Sequence, residues 1–100
     1  MNVDFYPAAA AELELAAQWY EERSIGLRQE FLTEFRPGVR QIMEHPHAWQ
    51  HLGCGVRRYR LGRFPYGIVY VTEDDQIVVL AVGHLRRKPG YWKPRLKNKR

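Results

Sequence analysis

The hydrophobic pattern of this chain changes period once, in mid-sequence. Through residues 8–44 apolar side chains recur at the 3.6-residue spacing of an amphipathic helix; through residues 55–84 they alternate with period 2. A single switch of this kind puts helices first and strands after, which implies an α+β domain and not a series of βαβ units. One hundred residues leave room for one such domain.

The details follow the same logic. Asn2-Val3-Asp4-Phe5-Tyr6 alternates and stops at Pro7, so it reads as a short edge strand. Pro7 suits the first turn of a helix, and Ala8 to Arg23 is rich in strong helix formers. Ala9, Leu13, Ala16, Ala17 and Tyr20 line one face, with Glu12, Glu14, Glu21 and Glu22 elsewhere around the cylinder. Ser24-Ile25-Gly26 interrupts the pattern, with Ser24 placed to cap a second helix. Leu27, Phe31, Phe35, Val39 and Ile42 mark that helix, which ends before Pro46 and should kink or break at Pro37-Gly38.

His47 to Gly55 reads as a loop. Val56–Leu61, Tyr66–Thr72 and Gln76–Val82 read as strands, with Gly62-Arg63 and Glu73-Asp74-Asp75 as turns. The predicted order is β-α-α-β-β-β: a two-helix hairpin packed on one face of a small antiparallel sheet. Leu13, Tyr20, Phe31 and Phe35 should be buried against Ile68, Tyr70, Val78 and Leu80. Pro89-Gly90 ends regular structure. Residues 1–95 form the single domain and 96–100 a basic, mobile tail.

Charge is distributed as unevenly as periodicity. The chain carries +5 overall, but residues 1–50 sum to −4 and residues 51–100 to +9, with no acid from Gln76 onward. Such a step gives the domain a basic face suited to nucleic acid or an acidic protein. Cys54 is the single cysteine, which excludes an internal disulfide framework and a Cys-rich zinc module. No apolar run reaches the roughly 18 residues of a membrane span. Asp4 sits where a signal peptide wants a base, so a cytoplasmic protein is expected.

The densest chemistry lies in His84-Leu85-Arg86-Arg87-Lys88-Pro89-Gly90-Tyr91-Trp92-Lys93-Pro94-Arg95. Arginines clamp phosphates, Tyr91 and Trp92 can stack on bases, and His84 can move a proton near neutral pH. Those are the ingredients of RNA cleavage, in which Arg87 would stabilise the phosphorane, His84 transfer a proton and Tyr91 stack. They are equally the ingredients of a binding surface without chemistry. Arg86, Lys88, Trp92, Lys93 and Arg95 then join a second basic set, Arg57, Arg58, Arg60 and Arg63, as target or nucleic-acid contacts. Alternation puts Arg58 and Arg60 on one strand face and Arg57 on the other; since one face must cover the helices, pairing with Glu or Asp of the helix hairpin is the simpler role for some of this set. His45, His47 and His51 lack a carboxylate and straddle Pro46, so neither a metal nor any other cofactor is expected.

Taken in order, these residues resemble a family. Glu12-Leu-Glu-Leu-Ala-Ala-Gln-Trp-Tyr-Glu21, Gly26-Leu27, Phe31, Pro46 and Trp49 are similar to the helix hairpin region of RelE/ParE-type toxins. Val56-Arg57-Arg58, Arg63-Phe64-Pro65-Tyr66, Ile68-Val69-Tyr70, Ala81-Val82-Gly83-His84 and Arg86-Arg87-Lys88-Pro89-Gly90-Tyr91-Trp92 extend the similarity to about residue 95. The resemblance implies the toxin half of a type II toxin–antitoxin module, bound by a cognate antitoxin in a hetero-oligomer. RelE-like members cleave mRNA in the ribosomal A site with sheet arginines, a basic residue after the last strand and a C-terminal tyrosine. ParE-like members poison DNA gyrase and need no nuclease site. Gly67 stands where RelE-like toxins often place a sheet arginine, and His84-Leu-Arg-Arg87 is more similar to the ParE-like or plasmid-stabilisation branch. Gyrase inhibition is therefore the expected function; an mRNA endonuclease and a non-toxic basic binding domain are the alternatives.

Overall fold

Pro7 begins the first helix, and from there the chain runs helices first and strands after, with one strand more than expected. The computed structural model describes residues 2–97. Strand β1 (Asn2–Phe5) is followed by helices α1 (Pro7–Arg23) and α2 (Leu27–Glu44). Strands β2 (Gln50–Gly53), β3 (Val56–Arg60), β4 (Tyr66–Glu73) and β5 (Gln76–His84) come next, then a short 3-10 helix, Lys93–Leu96. The two-layer α+β architecture is the one the periodicities imply.

Three local expectations change. The helix–helix turn is not capped by Ser24: Gly26, in the left-handed region at φ 96°, precedes α2. The Glu21 carboxylate accepts the Gly26 and Arg28 N–H groups at 3.1 Å each, doing the work of a cap from the preceding helix. A bidentate Arg28–Glu14 pair at 2.5 and 2.9 Å ties the two helices beside it. Helix α2 also runs without a break through Pro37. Gly38 next to it serves packing, because a Cβ there would lie 2.9 Å from the Tyr59 ring of β3.

The third change is in the sheet, whose order is β1-β5-β4-β3-β2. Four residues of the expected 47–55 loop form β2, which pairs antiparallel with β3 across a turn of positive-φ residues, Gly53, Cys54 and Gly55. β1 pairs parallel with β5, so the otherwise antiparallel sheet is mixed. At the other hairpin, Asp74 and Asp75 both adopt positive φ, 50° and 59°, the conformation whose twist matches the flanking strands.

Each face of the sheet carries its own core. On the helix side Phe31, Phe35, Ile42, Ile68, Tyr70 and Val79 are buried together, with Leu13 and Tyr20 packed against them. On the far side Val56, Val69, Val71, Val78 and Leu80 form a second cluster, closed by Trp92. Val78 and Leu80 were expected to face the helices and do not. β5 is apolar on both faces, and the register of β4 against β5 shifts between Val69 and Tyr70, so its phase is set by pairing and not by pattern. The far-side cluster is roofed by the segment after β5: Leu96, expected in the tail, packs there, and the tail residues 98–100 lie outside those described. Among the described residues no helix is long and apolar enough to cross a membrane.

Candidate functional site

Glu12, grouped in sequence with the acids off the core stripe of α1, organises the basic segment. Its carboxylate accepts two bonds from Arg95, at 2.8 and 2.9 Å, one from Arg87 at 2.6 Å and one from the Val82 amide at 3.0 Å. Arg95 also donates to the Leu80 carbonyl at 2.9 Å. Glu12 and Arg95 are 15% and 14% exposed at their side chains, so this pair is largely withdrawn from water, whereas Arg87 is 44% exposed. Burial pushes the Glu12 carboxyl up, but hydrogen bonds from Arg95, the Val82 amide and Arg87 outweigh it and hold the group below its ordinary value.

That direction has a consequence for acid stability. A carboxylate whose folded pKa is depressed contributes stability above its unfolded value and loses it as pH falls through the folded one. Glutamine mimics the protonated acid. The stability difference between wild type and Glu12→Gln should therefore be widest near neutrality and narrow as melting is followed down to about pH 3. A difference that stays constant over that range would contradict the assignment.

Tyr91 lies beneath Arg87, whose guanidinium carbon is 3.8 Å from the ring centroid, with Arg95 5.6 Å away. Its hydroxyl sits over the bare backbone of Gly83, where any Cβ would collide with it. Burial, then the Glu12 charge, raises the Tyr91 phenol above its usual pKa. His84 is exposed, with its ring edge-on to Tyr66 at 5.5 Å, and its Nδ1 accepts the Arg86 amide at 3.1 Å.

The structure thus brings His84, Arg87, Tyr91 and Arg95 together, but spends Arg87 and Arg95 on Glu12. Trp92, expected to stack on a target, is buried in the far-side core instead. The strand arginines divide. Arg57 donates to the Trp49 carbonyl at 2.8 Å, and Arg63 is paired with Glu30 of α2 while its amide donates to Glu34. Arg58 crosses Gly67, where a Cβ would fall 2.8 Å from its Cδ; its Nη2 donates to Gln50 at 2.9 Å and its Nε is buried without a partner among the described residues. Arg60, Arg86, Lys88 and Lys93 are exposed, with side chains that make no ion pair or hydrogen bond among the described residues. Lys93 and Arg58 face each other across a shallow groove of about 200 Å³ on the far side.

A second cleft, of about 290 Å³, opens between α1 and the end of β5. Leu15 and Trp19 wall it from the helix, Tyr66 and Val82 from the sheet, and His84 and Arg87 from the rim. Sequence reading missed this cleft and the role of Glu12. Leu15 and Trp19 do leave a signal, two large apolar residues four apart and off the core stripe of α1. The histidines at 45, 47 and 51 are exposed, and no three of His, Cys, Asp and Glu converge on a metal-sized site among the described residues.

Comparison with known proteins bears on this site. A family model described as the ParE toxin of the type II toxin–antitoxin system, parDE, matches residues 3–89. A solved chromosomal ParDE toxin–antitoxin system from P. aeruginosa contains a chain of similar fold, with TM-score 0.61 and 19% identity, over 84% of this chain and 95% of that one. The isolated E. coli RelE toxin is also similar, with TM-score 0.55 and 16% identity over 96% of each chain. No curated protein sequence matches this one.

Proposed function

This chain belongs to the ParE toxin family of type II toxin–antitoxin systems, and on that premise we propose that it arrests growth by binding DNA gyrase through its free basic surface. The family brings an antitoxin partner with it. The observation that carries the gyrase reading is the Glu12–Arg87 ion pair, which commits the cation best placed to stabilise a phosphorane. Gly67 supports it, because the arginine stem laid across that position is structural in its contacts. Arg60, Arg86, Lys88 and Lys93 remain available as a charged protein-binding face. Action in the cytoplasm, where gyrase works, is part of the same reading.

Two sets of substitutions separate binding from cleavage. His84→Gln and Tyr91→Phe should leave growth inhibition within a few-fold of wild type, since neither residue is needed for a charge-driven contact. Arg86→Glu combined with Lys88→Glu places like charges against the partner and should weaken inhibition on the order of 10-fold or more. Induced expression in cells reads both. Breaks in chromosomal DNA with intact mRNA are the expected phenotype. Transcripts cut within codons, abolished by His84→Gln, would establish the ribonuclease reading instead. Growth unaffected by induction would leave a basic binding domain.

A further inference from the structure

We propose that Ile25, at the tip of the helix hairpin, is the apolar wedge that seats this chain on its target, entering a socket on an acidic surface of gyrase. The inference rests on the gyrase reading and names the side chain and the end of the fold that make the contact. Ile25 is 95% exposed, more than Leu15 at 63% or Trp19 at 47%. A lone exposed aliphatic residue is ordinary on a protein surface. This one departs from what its position favours. Turns prefer Gly, Asn, Asp and Ser, and the reversal here is made by Gly26 at φ 96°. Nothing in the turn calls for a β-branched side chain, and folding gains no burial from it.

The tip is also held still. The Ser24 amide donates to the Tyr20 carbonyl and the Leu27 amide to the Ser24 carbonyl, both at 3.1 Å. The Glu21 carboxylate accepts the Gly26 and Arg28 amides, and the Glu14–Arg28 pair clamps the two helices behind them. Backbone hydrogen bonds therefore flank Ile25 on both sides. A side chain on a fixed backbone gives up little conformational entropy when a partner buries it, and isoleucine has few rotamers to lose.

Charge selects the partner. Arg63 pairs with Glu30, its amide donates to Glu34, and the Phe64 ring packs 4.8 Å from Tyr20. The Leu85 amide donates to the Pro65 carbonyl at 2.9 Å. These contacts gather the hairpin tip, the β3–β4 turn and the start of the segment after β5 at one end of the fold. Of the hairpin acids, Glu14, Glu22 and Glu30 are each paired with an arginine. Arg60 and Arg86 at this end are exposed, with no ion pair among the described residues. Asp4, Asp74 and Asp75 lie at the opposite end, where β1 runs beside the β4–β5 turn. The apolar tip and the uncompensated cations thus lead together toward an acidic surface.

The test measures supercoiling by purified gyrase in the presence of the full chain as wild type, Ile25→Ser or Ile25→Leu. Unchanged melting shows that each variant is folded. Ile25→Ser should raise the concentration needed for half-inhibition on the order of 10-fold, as loss of a hot-spot contact does. Ile25→Leu, which keeps the apolar bulk, should stay within a few-fold of wild type. An Ile25→Ser protein as potent as wild type would overturn the wedge and leave the gyrase reading standing. Normal inhibition by Ile25→Ser with weakened antitoxin binding, or with loss of self-association in sedimentation, would assign the tip to the antitoxin or to a second copy and overturn the wedge. Wild type without effect on gyrase would overturn the gyrase reading itself, and the wedge with it.

Discussion

Replacing Glu12 with alanine is expected to cost about 2–3 kcal/mol of stability, less than the range of about 3–5 kcal/mol seen for fully buried ion pairs, because Glu12 and Arg95 are not fully buried. The size follows from what is left behind. Arg95 keeps its charge at 14% exposure with only the Leu80 carbonyl as partner, and the Val82 amide loses its acceptor. For a domain of this length, that loss lowers the melting temperature by roughly 10–20 °C. Arg87→Ala, which removes the more exposed arm of the same cluster, should cost no more than about 1 kcal/mol. Equal effects of the two substitutions would mean that Glu12 stabilises the fold through Arg87 and not through Arg95.

Trp92→Ala is expected to cost a further large amount, about 3–5 kcal/mol, by opening a cavity in the far-side core. Trp92 is buried against Val56, Val69, Val71, Val78 and Leu80, and it closes that cluster from outside the sheet. The same substitution at Trp19, exposed on α1, should change stability by less than about 0.5 kcal/mol. Urea unfolding of the two variants measures both. A Trp92→Ala protein as stable as wild type would return Trp92 to the role its sequence context suggested, an aromatic held out for a target.

Trp92 illustrates where sequence reasoning stopped. Set among Arg, Lys, Pro and Gly, it has the local context of a binding loop, and no periodicity reports that the loop folds back over a sheet face. Glu12 is the companion case. It lies three residues after Ala9 and four before Ala16, at the edge of the core stripe of α1, but its partners lie 70–83 residues away, beyond any local pattern. The helices and three central strands were legible because each has one dominant face or a β-branched run. β2 was not, since Gln50-His51-Leu52-Gly53 has neither; its pairing is supported by Arg57 on the Trp49 carbonyl and Arg58 on Gln50. Val78 and Leu80 were assigned to the wrong face because β5 is apolar on both. The pairing of Arg63 with Glu30, by contrast, is the structural role that charge alternation offered for those arginines.

These points converge on one reading of the basic segment. Arg87, Arg95 and Tyr91 hold the segment after β5 against Glu12 and the sheet, and on the proposed reading the exposed cations around them bind the target. DNA supercoiling by purified gyrase, measured with increasing amounts of this chain and again with antitoxin added, tests that reading most directly. Inhibition that rises with toxin, accumulates cleaved DNA and is reversed by antitoxin is the predicted result. Unimpaired supercoiling, together with cleavage of mRNA on ribosomes by the same preparation, would contradict it.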